Sequence, residues 1–296
     1  MNEHDRLVDR AARDAHTVLF VGGIDAGKST LARAVAAYAL TLGRSVAYLD
    51  GDLGQKTVGP PGTVAMKRIR SADDLTFDRL ADADALAFVG STSPQGHLLP
   101  LVTGMARLHD RAIAEGADLV VVDTSGMVSG IYGQLVKYHK VELLRPDLVV
   151  GLQRGEELGP VLGVIERFFD MDVIAVGVHP SVVPTSVEQR AEHREEAMAR
   201  YFAGELNRFR IRPTVFMPSL PPLFDLAALD RLLVGLSDGA GGNSGIGYLE
   251  HLPEEAALRL ISPVADPPKA LRLGSVRLEE SYRAKRVDLR NLFGTE

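Results

Sequence analysis

Short aliphatic runs alternate along the chain with stretches in which apolar residues return every third or fourth position. The runs at 17–21, 45–49, 86–89, 119–122, 148–152 and 173–178 have strand length and no charged member, the pattern of strands buried on both faces. Between them, 28–42 sets Leu31, Val35, Ala39 and Leu42 on one helix face, with Gly43 as its stop. Helices are expected also over 99–115, 134–144, 156–169 and 187–203, with a short polar one leading at 4–15. Alternating strands and helices predict an α/β fold with a mostly parallel sheet flanked by helices. Breakers crowd 51–63 into a loop, and 214–217 is expected to close this unit as its last strand. After Leu236 the composition shifts. The glycine-rich stretch 237–247 reads as a loop, and the remainder carries short β-rich pieces between turns. The chain is therefore expected to divide into a domain at 1–236 and a small C-terminal β domain at 237–296.

Composition narrows the classes open to it. Of 296 residues, 46% are hydrophobic and 24% charged, with a net charge of −6, the mix of an ordinary globular protein. No cysteine is present, so disulfides, thiolate metal sites and cysteine nucleophiles are excluded. No apolar stretch approaches the roughly 18 residues of a membrane span, and the N-terminus is charged where a signal peptide would be apolar. A cytoplasmic protein without membrane contact is expected. Net acidity argues against broad coating of nucleic acid but leaves room for a local basic groove.

One segment carries chemistry by itself. Residues 22–30 (GGIDAGKST) fit G-x-x-x-x-G-K-[ST], directly after a predicted strand and at the start of a predicted helix. In that setting the backbone N–H groups of Gly23, Ile24, Asp25, Ala26 and Gly27 turn toward phosphate oxygens, and the helix N-terminus adds partial positive charge. Lys28 is expected to reach the β- and γ-phosphates, Ser29 to ligate Mg²⁺, and Thr30 to complete the loop. The expected cofactors are ATP, or another nucleoside triphosphate, and Mg²⁺. The fold class becomes that of a P-loop NTPase with a small C-terminal β region.

The strand at 45–49 runs into Asp50-Gly51-Asp52-Leu53-Gly54-Gln55. Residues two apart in a strand share a face, so Asp50 and Asp52 are both expected to face the γ-phosphate. One would stand near the metal and one near an acceptor hydroxyl, as phosphoryl transfer requires. Asp123, ending an apolar strand, competes with Asp50 for the metal. The strand end at Leu152-Gln153-Arg154 is a candidate base pocket.

Four blocks, GGIDAGKST, LDGDLGQ, VGSTSPQGH (89–97) and VDTSGMVSGIYGQ (122–134), occur in an order that resembles the polynucleotide 5′-hydroxyl-kinase family. That family includes the kinase subunit of the pre-mRNA cleavage complex and ribosomal-RNA-processing kinases. The likeness extends through 183–202, similar to the family's arginine-bearing lid, and 232–250, similar to its junction with a C-terminal β region. It implies an ATP-dependent kinase acting on the 5′-hydroxyl end of RNA or DNA in RNA processing. By the same resemblance, Asp52 is the general base, Asp50 supports the metal, and Gln55 touches the nucleic acid. Thr92 and Ser93 would hold the substrate backbone, and Thr124, Ser125 and Gly126 would form a clasp over the terminal nucleotides. Arg190 and Arg194 would come from the lid to the moving phosphoryl group. They lie four apart, on one helix face, where Glu188, Glu192, Glu195 and Glu196 make a merely solvated surface the competing reading. Lys137 and Lys140 either contact backbone phosphates or serve the surface. Met127 stands where many members carry an aromatic residue for base stacking, which leaves Tyr132 as a substitute. His97 and His139 lack ligand spacing. A nucleotide switch acting as an assembly or maturation factor needs only Lys28, Ser29, one acid and a moving loop, and stays open as the alternative. Protein partners are not specified.

Overall fold

The computed structural model describes residues 2–294. Helix α1 (Glu3–Asp14), begun by an Asn2–Asp5 capping box, leads into β1 (Thr17–Gly22), α2 (Lys28–Thr41), β2 (Val46–Gly51) and β3 (Thr63–Ile69). There follow α3 (Phe77–Ala81), β4 (Ala85–Phe88), α4 (Leu98–Ala114), β5 (Leu119–Thr124) and α5 (Gly130–Leu144). Then come β6 (Leu148–Gln153), α6 (Gly159–Phe168), β7 (Asp172–Gly177) and α7 (Val187–Tyr201).

Strands β2, β5, β1, β6 and β7 lie side by side and parallel. Their aliphatic runs have no polar face, so each side of the sheet needs a cover. Leu7 and Ala11 of α1 with Leu31 and Val35 of α2 supply one; Leu101 of α4, Val136 of α5 and Ile165 of α6 supply the other. Parallel pairing brings the C-terminal ends of β1, β2 and β5 to one edge, where such sheets hold ligands.

The parallel expectation is met by these five strands. Residues 63–69, left without an element by the breaker-rich pattern before them, form β3, antiparallel to both β2 and β4. Its charged Lys67 is accommodated by lying along the sheet and donating to the Asp82 carbonyl.

The strands of the rest of the described chain are Asn207–Ile211, Phe216–Met217, Leu232–Ser237, Asn243–Leu252, Ala257–Ser262, Ala270–Leu278 and Ala284–Arg286, and a short helix, Leu289–Phe293, follows the last. They pair antiparallel except Phe216–Met217, which runs parallel to Ala270–Leu278. Two expectations are corrected here. The strand within 214–217 joins this C-terminal sheet and does not close the first unit. The stretch 237–247 is a loop only up to Gly242; from Asn243 it is a strand paired with Leu232–Ser237. The sheet also does not break at Leu236, because Leu232–Ser237 sits between two C-terminal strands and Asn243 pairs with Leu86 of β4. One continuous sheet joins both parts.

Helix α7 bridges them. Its last turn sinks Met198 and Phe202 among Phe88, Leu233, Ile246 and Val276, and Phe202 stacks on Tyr282 with ring centroids 5.3 Å apart. The Tyr201 hydroxyl accepts from the Ile246 N–H at 3.0 Å. Among the described residues no helix is long and apolar enough to cross a membrane.

Candidate active site

The turn after β1 opens α2 with Lys28, Ser29 and Thr30. No side chain caps this helix, and its first turn holds no acid, so its free N–H groups and partial positive charge point at whatever enters the adjacent cleft. The cleft measures 780 Å³, within the range of small-molecule sites. Lys28 is buried and donates to the Gly23 carbonyl at 2.7 Å. Burial holds its ammonium below the ordinary lysine value, and the charges of Asp123, Asp52 and Asp25 pull it back up.

Asp52 follows the last residue of β2, where the chain leaves the sheet. Its Oδ1 accepts the N–H groups of Gly54 and Gln55 at 2.9 and 3.0 Å, an Asx-type turn that fixes the carboxylate. Among the described residues nothing donates to its Oδ2. The loop after β5 crosses close by. A Cβ on Gly126 would lie 2.7 Å from the Ile24 nitrogen, so only glycine lets this loop touch the phosphate loop.

Arg190 and Arg194 of α7 both line the cleft. Burial, and then the Arg190 charge, lower Arg194 from the ordinary arginine value. The helix is tied at its near end. Asp25, in the left-handed region at φ 52°, accepts from the Thr185 N–H and hydroxyl at 2.8 Å each and lies 3.5 Å from the Arg190 guanidinium. The Gln55 side-chain amide donates to the Arg190 carbonyl at 2.9 Å.

Most of the residues singled out by sequence meet here. Ile24 through Thr30, Asp52, Gln55, Thr92 and Ser93 line the cleft, as do Thr124, Ser125, Gly126, Met127 and the two arginines. Three do not. Asp50 is fully buried, and its carboxylate is taken up by the N–H groups of Asp52, Thr57 and Val58 and by the Lys56 ammonium at 3.2 Å. β2 ends at Gly51, so the two acids do not share a strand face, and Asp50 organises the loop instead of meeting a metal. Lys137 is buried and donates to Thr124 and Ser125, out of reach of a substrate. Asp123 lies just beneath the cleft at 2% exposure. Gln55 and Thr124 line the cleft, yet the Gln55 amide is spent on α7, and the Thr124 hydroxyl donates to the Phe20 carbonyl.

Some participants carried no sequence signal. Ser181 and Val182, after β7, form one wall of the cleft, beside Val183 at the start of the lid-like stretch. Arg154, a base-pocket candidate, instead donates to the Asp25 carbonyl at 2.6 Å and steadies the phosphate loop.

The fit of a metal is tested by Asp123. Its Oδ1 is buried with no hydrogen-bond partner, and its Oδ2 accepts only from the Tyr48 hydroxyl at 3.1 Å. Burial, and then the Asp50 charge, push its carboxyl up to about 6, with Lys28 and Ser29 acting the other way. A hard divalent cation would satisfy that oxygen together with the Ser29 hydroxyl. No three His, Cys, Asp or Glu side chains converge as a metal site among the described residues, so phosphate oxygens would have to complete the shell.

An uncapped helix start after a parallel strand, a buried lysine and an unpartnered carboxylate beneath them define a P-loop nucleotide-binding protein. A family model described as mRNA cleavage and polyadenylation factor CLP1 P-loop matches residues 22–204, and the chain belongs to that family. It is similar to the polyribonucleotide 5′-hydroxyl-kinase of Pyrococcus horikoshii, 28% identical over 248 residues that cover 65% of this chain and 67% of that protein. It is also similar to the polyribonucleotide 5′-hydroxyl-kinase of Methanocaldococcus jannaschii, 35% identical over 115 residues, or 39% of this chain and 31% of that protein. The solved structure of a wild-type Clp1p–Pcf11p complex matches with a TM-score of 0.71 at 14% identity, over 93% of this chain and 77% of that one. This last is a likeness of fold.

Proposed function

We propose that this chain transfers the γ-phosphate of ATP to the 5′-hydroxyl end of a polynucleotide, with RNA the preferred acceptor. The observation that carries the reading is the free oxygen of Asp52. One oxygen of that carboxylate holds its own turn and the other is left for the cleft, which also contains Lys28 and two arginines. The names of the archaeal relatives support a polyribonucleotide acceptor.

In this reading Lys28 and the N–H groups opening α2 hold the β- and γ-phosphates. Mg²⁺, held by Ser29 and Asp123, neutralises phosphate charge when bound. Asp52 Oδ2 orients the 5′-hydroxyl and takes its proton as the new O–P bond forms and the bond to the β,γ-bridging oxygen breaks, leaving ADP. Arg190 and Arg194 meet the charge spread over the moving phosphoryl oxygens, a task suited to their planar forks. Thr92, Ser93 and Ser125 offer hydroxyls to the acceptor backbone. Met127 gives its base a softer platform than an aromatic ring.

The test is transfer from γ-labelled ATP to matched 5′-hydroxyl RNA and DNA oligonucleotides. Label should appear on the RNA end and vanish with Lys28→Ala. Asp52→Asn should lower kcat by about 10²–10⁴-fold while ATP still binds. Near-normal transfer by Asp52→Asn removes it as the base. Nucleotide hydrolysis with no labelled oligonucleotide replaces the kinase by a nucleotide switch.

A further inference from the structure

Helix α5 buries Gly133, Val136, Lys137, Lys140, Val141 and Leu144. That spacing is the apolar stripe of an amphipathic helix, and two of its members are lysines. Lys137 is 0% and Lys140 1% exposed. Lys56 nearby is paired with Asp50, but among the described residues neither α5 lysine has a carboxylate within ion-pair distance. Their partners are neutral oxygens at the ends of β2 and β5 and in the loop just after β5, where the chain enters the cleft wall. A buried lysine head with no carboxylate in contact, the charges of Asp52 and Asp123 lying farther off, is a poor choice for stability where leucine would serve, so what these two hold matters.

Lys140 donates to the Gly51 carbonyl at 3.1 Å. This is the peptide that joins Gly51 to Asp52, and the N–H on its other side donates to Asp50 at 2.9 Å. The peptide plane immediately before Asp52 is thus pinned at both ends. The approach is close: a Cβ on Gly51 would lie 3.0 Å from the Lys140 ammonium. Lys137 donates to the Thr124 hydroxyl at 2.9 Å and to the Ser125 carbonyl at 2.7 Å, and Thr124 donates onward to Phe20 of β1 at 2.6 Å. The loop carrying Ser125 and Gly126 is thereby anchored to the strand beneath the phosphate loop.

We propose that Lys140 and Lys137 are positioning residues of the transfer reaction, Lys140 aiming the Asp52 carboxylate and Lys137 holding the acceptor-side loop at its working distance. The inference rests on the kinase reading and adds a division of labour. Lys140 acts on the chemical step, and Lys137 acts on acceptor binding. Misplacing a reacting group by about 1 Å costs on the order of 100-fold, so small shifts of either loop are readable.

The experiment compares the parent chain with Lys140→Met, Lys140→Gln, Lys137→Met and Lys137→Gln. Transfer from ATP to a 5′-hydroxyl RNA oligonucleotide is measured with KM for each substrate, and folding is checked by circular dichroism and ATP binding. Lys140→Met should lower kcat by about 10–100-fold with both KM values within about threefold of the parent. Lys140→Gln, which can still donate to the Gly51 carbonyl, should recover part of that loss. Lys137→Met should raise the oligonucleotide KM about tenfold, roughly the effect of one lost hydrogen bond, with the KM for ATP unchanged. The division is read from whichever substitution at each position folds. Parent-like constants in a folded variant, or one uniform loss at both positions, overturn the inference. If no variant folds, the lysines serve stability and the inference falls as well. A parent that labels no 5′-hydroxyl end overturns the kinase reading and takes this inference with it, whereas a labelling parent with unaltered variants overturns the inference alone.

Discussion

Replacing Asp123 by asparagine should make the protein more stable and useless. Asp123 sits opposite Asp50 in the β2–β5 register, with one oxygen unpartnered and the other held only by Tyr48. Its carboxyl is pushed from 3.8 to about 6 by burial and the Asp50 charge. In the unfolded chain the proton leaves near 3.8; in the fold it stays to about 6. Between those values the folded state binds the extra proton, so stability falls as pH rises, and above 6 the loss is complete. At about 1.36 kcal/mol per unit, the ionised carboxylate costs the nucleotide-free fold about 3 kcal/mol. Asparagine has the same shape and no charge, and its carbonyl can keep the Tyr48 bond. Allowing about 1 kcal/mol for its buried amide N–H groups, Asp123→Asn should gain about 2 kcal/mol at pH 8. That corresponds to about 3 °C in Tm, at about 2.1 cal/mol/K of unfolding entropy per residue over 296 residues. Thermal unfolding without nucleotide, at pH 8 and again at pH 4, measures it. The gain should disappear at pH 4, where the folded parent keeps its proton and the burial cost of ionisation is all but absent, and transfer activity should be lost at both. An unchanged Tm at pH 8, or an equal gain at pH 4, refutes the reasoning.

Gly126→Ala forces its Cβ against the Ile24 backbone at 2.7 Å. It should destabilise by about 1–3 kcal/mol and weaken binding of a fluorescent ATP analogue; parent-like affinity in titration refutes the close-approach argument. Asp25→Ala removes the acceptor for Thr185 and the partner of Arg190. Amide exchange over 185–190 should speed up about tenfold, near the worth of one such bond, while the strands exchange as before; an unchanged rate there shows that the contact holds nothing.

The phosphate loop was legible because its signal is wholly local: an aliphatic strand, the glycine–lysine spacing and a helical pattern, all within one continuous stretch. The spacing of the two arginines puts them on one helix face, but only the family resemblance sets them apart from a solvated surface. Asp50 turns into its own loop and away from the cleft because the two-residue alternation holds only while the strand continues, and β2 ends one residue later at Gly51. From sequence, Lys137 and Lys140 read as substrate-contacting or surface groups because charge is normally solvated; their helical register with Val136, Val141 and Leu144 is the signal that places them inside. The strand Asn207–Ile211 was equally readable, since Asn-Arg-Phe-Arg-Ile alternates polar and apolar. The wall supplied by Ser181 and Val182 was not, because nothing in so short a loop says which cleft it borders.

The embedding of Met198 and Phe202 in the C-terminal sheet makes α7 a lever with a fixed fulcrum. Counted along the helix, Arg194 stands four residues from Met198 and Arg190 eight, roughly 6 and 12 Å at the usual rise. A tilt about that point carries Arg190 twice as far as Arg194. Arg190 therefore makes the longer swing, and only if its ties to Asp25 and Gln55 let go.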